Sequence, residues 1–468
     1  MRPTQRLTSW APLGLAALWL GGWLWWQASH VGAYIFDFDE GVHLVQARLV
    51  QEGADPYREM GLLLPPFWFW TAAAAFAIFG QTVEVARLLS LAYGAVGGVS
   101  VALLGRRLGG AWGGTVALVL YTLTPGVLWL SRAAMLEVPA ISVALLALAV
   151  AAHARRPWAW WLAGVLFGVS LLIKAVVPAG LVALGWLAWR RADRRRGALA
   201  ALLVGVAMPV GAVALLYGPG RFWHYTVAIR AAMRAVEPWS PAGNADKILE
   251  DGLLPVGATL VLAGLGLWAT CGRPTAQALG LLWGASLVAA FFHTPLRATH
   301  LVVLGVSATP LAGGIVHVAA RPAWRQGGRR LLWPLLGGLL AWQLASTVVE
   351  LAPTYADTYK LDDTKVRLAR YIAEHVPEGE YVVIDYPMIA FRAGRSVPPL
   401  LSDPSNGRIQ SGYLTPEMAI EATAQAKPRL IVFWSGRLRQ LEAYVRWIEE
   451  RYRVVRYFGR SHPVYGLK

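Results

Sequence analysis

A single cysteine, Cys271, stands in 468 residues. A lone thiol excludes an internal disulfide and any Cys-based zinc site. Charge is scarce too. Asp, Glu, Lys and Arg make up 15% of the chain, against about 25% in an ordinary soluble domain. No soluble-type repeat, low-complexity tract or long linker breaks the pattern. Acid is the scarcer sign, with 27 Asp and Glu against 43 Lys and Arg, a formal net charge of +16. No basic recognition motif accompanies that excess, so nucleic acid is not the implied partner. Apolar residues are abundant, at 56%. That composition excludes a disordered chain, argues against a single soluble globule and fits a polytopic membrane protein.

Composition shifts near residue 353. Residues 1–353 hold 26 Lys/Arg and 14 Asp/Glu, in short loops between apolar runs. Residues 354–468 hold 17 and 13, a charged fraction normal for a water-soluble domain. The chain therefore reads as a membrane part, 1–353, and a soluble part, 354–468. The apolar runs are roughly 8–27, 64–80, 84–104, 113–131, 138–153, 157–173, 177–189, 198–217, 253–271, 275–292, 298–319 and 331–350. Most approach the roughly 20 residues needed to cross the hydrocarbon core. The first follows Arg2 and Arg6, lacks an A-x-A cleavage site, and reads as an uncleaved anchor.

Arg clusters mark the cytoplasmic side. They are Arg2/Arg6, Arg106/Arg107, Arg155/Arg156, Arg190 to Arg196, Arg273, and Arg321 to Arg330. If all the runs crossed, two clusters would lie outside. The conflict disappears if 64–80 does not cross. That run opens with Pro65-Pro66 and carries Phe67, Trp68, Phe69 and Trp70, and aromatics of this kind favour the interface. The expected topology is about 11 transmembrane helices in a bacterial cytoplasmic membrane. The N-terminus lies inside, and an outer loop over 28–80 and the C-terminal domain lie outside.

On that topology, three outer segments carry charge that orientation does not require. The first holds Asp37, Asp39 and Glu40 directly after the first membrane helix, followed by a short amphipathic helix over 41–52. Residue type alone allows a solvated loop start, or a carboxylate at the mouth of a membrane-facing cavity, serving as general base or metal ligand. The second set comprises Arg87, Arg132, Glu137, Lys174, Arg297 and His300, each at or within an apolar run. A charge at mid-membrane costs about 2.5–3.5 kcal/mol on insertion scales, and less near the interface, where long side chains snorkel. Several cations on one face suit a phosphate, leaving a carboxylate for proton transfer. The third is the loop 218–250, with Trp223, His224, Arg230 and Arg234 at helical spacing, which reads as an amphipathic surface helix or a lid.

In this order the motifs resemble those of membrane glycosyltransferases with the C-type fold, which use polyprenyl-phosphate sugars. The nearest branch holds protein O-mannosyltransferases, aminoarabinose transferases of lipid A and rhizobial lipopolysaccharide galacturonosyltransferases. Asp39-Glu40 resembles the family's Asp-Glu pair, and Pro65-Pro66 its His-Pro-Pro-Leu segment. Arg87 in ARLLS, Arg132 with Glu137 in SRAAMLE, Lys174 in LLIKAVVPAG, and Arg297 with His300 follow in the family's order. Leu64 replaces the usual His, and Glu137 stands where Asp is commoner. The likeness covers residues 1 to about 320. It implies inverting sugar transfer from a polyprenyl-phosphate donor to a lipid, glycan or protein hydroxyl outside the cytoplasmic membrane. It also implies roles. Asp39 is the base, with Glu40 and Arg87 orienting it. Arg132, Lys174, Arg297 and His300 hold the donor phosphate, and Asp37 and Glu137 position substrate, Asp37 remaining an alternative to Asp39. No cofactor is required, and no ligand spacing demands a divalent metal. A transporter or flippase, or an oligosaccharide ligase, is the competing reading, and the absence of a repeated half argues against the transporter.

From about residue 362 helical and strand patterns alternate, implying a small α/β domain. Helices are expected in DDTKVRLARYIAEHV, capped by Asp362 or Asp363, in PEMAIEATAQA, capped by Thr415 with Pro416 first, and in RLRQLEAYVRWIEERY. Strands are expected in EYVVIDY, RLIVFW and RVVRYFG. The strand-to-loop steps at Asp385 and Ser435 are where such layers bind ligands, but no Gly-rich fingerprint follows either. A structural or acceptor-docking role is favoured.

Overall fold

The computed structural model describes residues 3–32, 37–175, 178–234, 236, 238–319, 329–358, 363–459 and 461–468. The chain divides into two compact units. One comprises Met1–Val31, Ser90–Val213 and Trp239–Tyr355, the other Gly32–Leu89, Ala214–Pro238 and Ala356–Lys468.

The first unit is helical. Six helices among the described residues are long and apolar enough to cross a membrane: Val83–Thr122, Arg195–Tyr217, Pro241–Thr270, Pro274–Phe291, Ala298–Val318 and Pro334–Ala352. Shorter apolar helices, Glu137–His153 and Pro157–Ile173, pack among them. The element Val83–Thr122, whose first turns belong to the second unit, is two helices joined by a turn. Gly109 and Gly110 leave helical geometry, and Gly110 takes φ +68°, which favours glycine. The chain then folds back on itself. Tyr121 donates from its hydroxyl to the Gly94 carbonyl at 3.0 Å, and a Cβ placed on Gly105 would meet that of Ala117 at 2.6 Å. The runs 84–104 and 113–131 are thus the arms of a hairpin, the second broken again before Pro125–Leu130.

Small residues set other helix crossings. A Cβ on Gly164 would lie 2.2 Å from the Leu202 carbonyl oxygen, and one on Gly205 would lie 2.3 Å from that of Trp161. The helices Pro157–Ile173 and Arg195–Tyr217 therefore touch through backbone, as apolar helices do when lipid offers no hydrophobic incentive to associate. Three Arg clusters meet at one end of this unit. Arg107 donates to the Ala152 carbonyl at 2.7 Å, Arg191 donates to the same oxygen, and Arg273 donates to the Arg107 and Leu108 carbonyls at 2.9 and 2.7 Å. Guanidinium groups here satisfy carbonyls that helix ends leave open.

The second unit joins the segment after the first helix to the C-terminal residues. Helix Phe38–Gln51 packs on helix Phe67–Phe79 and on helix Pro387–Arg392. Phe67–Phe79 has 13 residues, about 20 Å at 1.5 Å per residue and short of a 30 Å hydrocarbon core. Trp68, Phe69 and Phe76 are buried in it. Arg230, in the helical piece Ile229–Met233, donates to the Leu63 carbonyl at 2.8 Å.

A four-stranded sheet lies in the same unit: β1 (Val383–Ile384), β2 (Leu430–Val432), β3 (Tyr452–Phe458) and β4 (His462–Leu467), in the order β1-β2-β4-β3. The β1–β2 pair is parallel and the others antiparallel. Helices Asp363–His375, Pro416–Ala426 and Glu442–Arg451 alternate with the strands. Thr415 caps the second of these, accepting from Met418 N at 3.3 Å, with Pro416 at the first position. Asp362 and the side chain of Asp363 lie outside the described residues. β4 was not expected from sequence. It carries Pro463 and Gly466, which argue against an interior strand, yet it sits between β2 and β3 as the return arm of a hairpin turning at Gly459.

Candidate active site

The acidic segment of the second unit separates into three different carboxylates. Its helix starts at Phe38, earlier than the expected 41–52, so Asp39 and Glu40 fall inside the first turn. Acids are favoured there because the amides of a helix start lack partners and carry partial positive charge. Asp37 is the cap, its Oδ1 accepting from Glu40 N at 2.8 Å. Burial pushes the Asp37 carboxyl up to about 6, with Asp39 and Glu40 adding to the rise and the capping bond opposing it. Glu40 is buried, and Arg87 grips it in a two-point fork, Nε to Oε1 and Nη2 to Oε2, each 2.7 Å. Both side chains are at most 2% exposed. Asp39 alone is exposed.

The rest of this helix is fixed along its length. Ten of its residues are buried, including His43 beside Trp68 and Phe69. Arg48 donates to the Arg395 and Phe391 carbonyls at 3.0 and 3.1 Å and lies 4.1 Å over the Phe391 ring. Burial lowers the Arg48 guanidinium to about 10. Sequence reasoning passed over Arg48. The signal was a cation inside the apolar stretch GVHLVQARLV, where a charge needs a partner.

The basic candidates other than Arg87 belong to the first unit. Glu137 begins helix Glu137–His153, and Lys174 follows the last turn of Pro157–Ile173. They pair, Lys174 Nζ to Glu137 Oε1 at 2.6 Å, with the Lys side chain 16% exposed and the Glu 1%. Arg132 is buried in the connection between Pro125–Leu130 and Glu137–His153. Arg297 stands at the cap of Ala298–Ala312, its amide donating to His300 Nδ1 at 3.3 Å, and the His300 ring lies 4.7 Å from that of His293. Asn244 and Lys247 pin the segment before this helix, through the Phe291, His293 and Leu296 carbonyls.

Cavities open among the described residues of this unit, and two of them bear on the site. One, of about 190 Å³, borders the start of Ala298–Ala312 and is lined by Thr124, Trp129, Asp251, Thr299 and Glu350. Sequence reasoning did not single out Asp251 or Glu350, which are far apart in the chain and carry no motif. The other, of about 680 Å³, is apolar and lined by Trp19, Trp23, Trp26, Leu123, Val348 and Leu351. Two of its polar groups are engaged: Trp19 donates to the Thr122 hydroxyl at 2.7 Å, and Thr347 to the Leu123 carbonyl at 2.7 Å.

With this geometry in hand, known proteins supply a comparison. Residues 64–218 match the family described as dolichyl-phosphate-mannose-protein mannosyltransferase. No curated protein matches the chain by sequence. Among solved structures it is similar to ArnT from Cupriavidus metallidurans in the apo state, with a TM-score of 0.65, 16% identity and 98% of each chain covered. It is also similar to the same protein bound to undecaprenyl phosphate, with a TM-score of 0.67, 14% identity and 98% of each chain covered. The apo oligosaccharyltransferase of Archaeoglobus fulgidus matches with a TM-score of 0.53 and 13% identity, over 91% of this chain and 70% of that one. The fold is that of the C-type membrane glycosyltransferases, polytopic with a small C-terminal sheet. Both the family match and the structures agree with the enzyme class read from the sequence, a glycosyltransferase.

Proposed function

We propose that this protein transfers a sugar, with inversion, from a polyprenyl-phosphate donor to an acceptor hydroxyl at the outer face of a bacterial cytoplasmic membrane. The observation that carries this reading is the end-to-end agreement of its fold with a transferase bound to undecaprenyl phosphate. The acceptor oxygen attacks the anomeric carbon, the bond to the phosphate oxygen breaks, and the polyprenyl phosphate leaves with the electron pair. The acceptor's proton passes to a carboxylate.

Asp39 takes that proton. Asp37 is spent on the helix cap and Glu40 on Arg87, whereas Asp39 is exposed. The fork from Arg87 fixes Glu40 and with it the first turn that carries Asp39. Lys174, Arg132, Arg297 and His300 serve the donor phosphate as charge develops on the leaving group. Lys174 is suited to this because its ammonium is partly exposed and held by one contact. The apolar cavity lined by Trp19, Trp23 and Trp26 suits an isoprenoid tail. Asp37 and Glu137 position their neighbours.

The test is a donor assay. Purified protein in lipid receives a panel of radiolabelled polyprenyl-phosphate sugars, and sugar release is compared between the wild type and Asp39→Asn. Release by the wild type alone supports the transferase with Asp39 as base. Equal release by both removes Asp39 from that role. Tight binding of lipid phosphate without release from any donor favours the transporter reading, and release only from oligosaccharide donors favours the ligase.

A further inference from the structure

We infer that Arg437 is a positioning residue for Asp39, and that the C-terminal sheet is thereby part of the catalytic unit. This rests on the reading of Asp39 as the base. Phe38, the residue immediately before Asp39, meets two groups of the C-terminal residues. The Arg437 guanidinium lies 3.6 Å over its ring, and the Tyr386 ring meets it edge-on at 6.0 Å between centroids. Both come from the carboxyl ends of the parallel strands, Tyr386 just after β1 and Arg437 just after β2.

The loop that presents Arg437 has its shape set from below. Asp385 is buried at the end of β1, and its Oδ1 accepts from Trp434 N and Ser435 N at 2.6 and 2.8 Å. The Ser435 hydroxyl donates back to the Asp385 carbonyl at 2.8 Å. Gly436 follows at φ +75°, a conformation that other residues rarely adopt, and turns the chain so that Arg437 projects away. A rigid loop therefore delivers a planar cation to one aromatic face, a contact that strengthens as water is removed.

The same helix is seated farther along. A Cβ on Gly41 would lie 2.3 Å from Met388 N, so the acid-bearing helix runs backbone to backbone against Pro387–Arg392. Beyond it come the Arg48 bonds to Phe391 and Arg395, and a bond from the Ser396 hydroxyl to Glu52 at 2.9 Å. These later contacts hold the helix in place. The Arg437 and Tyr386 contacts with Phe38 act instead on the turn that carries Asp39, from the side opposite in sequence to the Arg87 fork on Glu40. A misaimed base lowers the rate of the chemical step without weakening donor binding, and a displacement of about 1 Å costs up to about 100-fold.

The experiment uses the full chain in lipid with four variants: Arg437→Ala, Arg437→Lys, Phe38→Leu, and Arg437→Ala combined with Phe38→Leu. Two readouts are taken, steady-state sugar transfer and amide hydrogen exchange over residues 38–51. Arg437→Ala is expected to lower kcat about tenfold or more with the donor KM unchanged. It should speed exchange at residues 38–42 and leave exchange over 45–51 as in the wild type. Phe38→Leu, which also removes the Tyr386 edge contact, should do the same or slightly more, and the double variant should be no worse than Phe38→Leu alone, since the cation contact is already lost there. Arg437→Lys should retain part of the rate, because a cation remains over the ring. Unchanged exchange in Arg437→Ala overturns the inference, as does changed exchange with wild-type kcat. A rise in donor KM with unchanged exchange would make Arg437 a substrate contact instead. If the wild type releases no sugar from any donor, the transferase reading and the role given to Arg437 in it both fall. The exchange arm then decides only whether Arg437 holds the helix start.

Discussion

Among the described residues, Arg87 with Glu40 and Lys174 with Glu137 form two acid–base pairs, one in each unit, built in opposite ways. Arg87 holds Glu40 through two bonds with both side chains at most 2% exposed. Lys174 holds Glu137 through one, and its own side chain is 16% exposed. A guanidinium fork fixes the plane and direction of its carboxylate, whereas an ammonium is a point charge on a flexible stem. The first arrangement suits a frame that stays put while a neighbouring residue reacts. The second suits a cation that exchanges one anion for another. On the function proposed above, the difference would separate the group that orients the base from the group that meets the phosphate.

The largest effect expected falls on neither pair but on the exposed acid beside the first. Asp39→Asn should lower turnover by about 10²–10⁴-fold, the usual contribution of a general base, with the melting temperature unchanged in a detergent unfolding scan. Near-normal turnover would return the role to Asp37 or Glu40. Next, Arg87→Met should destabilise the fold by about 3–5 kcal/mol, since it leaves a buried carboxylate without its cation. Adding Glu40→Leu should recover most of that loss, because two apolar groups replace the pair. If Arg87→Met melts like the wild type, the fork is not a frame and the contrast between the pairs collapses.

Lys174→Gln should act mainly on binding. The loss of one charge-assisted contact, about 1.5–3 kcal/mol, corresponds to a rise in donor KM of about tenfold to a hundredfold, with a smaller stability change than Arg87→Met. A pure stability loss with unchanged KM would make both pairs structural. The smallest effect concerns pH. The Asp37 carboxyl is raised by burial from 3.8 to about 6 in the fold. Its contribution to stability is therefore complete below the unfolded value of 3.8 and is lost as pH rises through about 6. Asp37→Asn keeps a good cap and should flatten that fall, so its melting temperature should exceed the wild type's at pH 7.5 and converge with it below pH 4. Parallel curves for the two proteins would show that Asp37 does not titrate in this window.

Legibility from sequence followed the range of the forces involved. Apolar runs, Arg clusters and the alternation after residue 362 are local signals, and they led to the membrane class and three of the four strands, whereas the C-type fold was implied by the family resemblance of the charged motifs. β4 escaped because Pro463 and Gly466 are poor strand formers, and its place between β2 and β3 comes from its partners alone. The helix start at Phe38 was missed by three residues because Asp37, Asp39 and Glu40 are equally good first-turn residues, and only the capping bond selects Asp37. Among the site residues, types and order were readable but partners were not. Nothing near Glu40 in sequence names Arg87, and nothing near Glu137 names Lys174.

The chain by itself determined that it lies in a membrane, that scarce charge is concentrated in a few motifs, and that those motifs have the order of a lipid-linked sugar transferase. Tertiary structure decided which carboxylate caps, which is locked and which is exposed, and it brought the C-terminal residues onto the helix that carries all three. The physical reason is that composition and periodicity act within a few residues. A hydrogen bond, an ion pair or a cation over a ring is made by groups tens to hundreds of positions apart, as Arg437 over Phe38 shows.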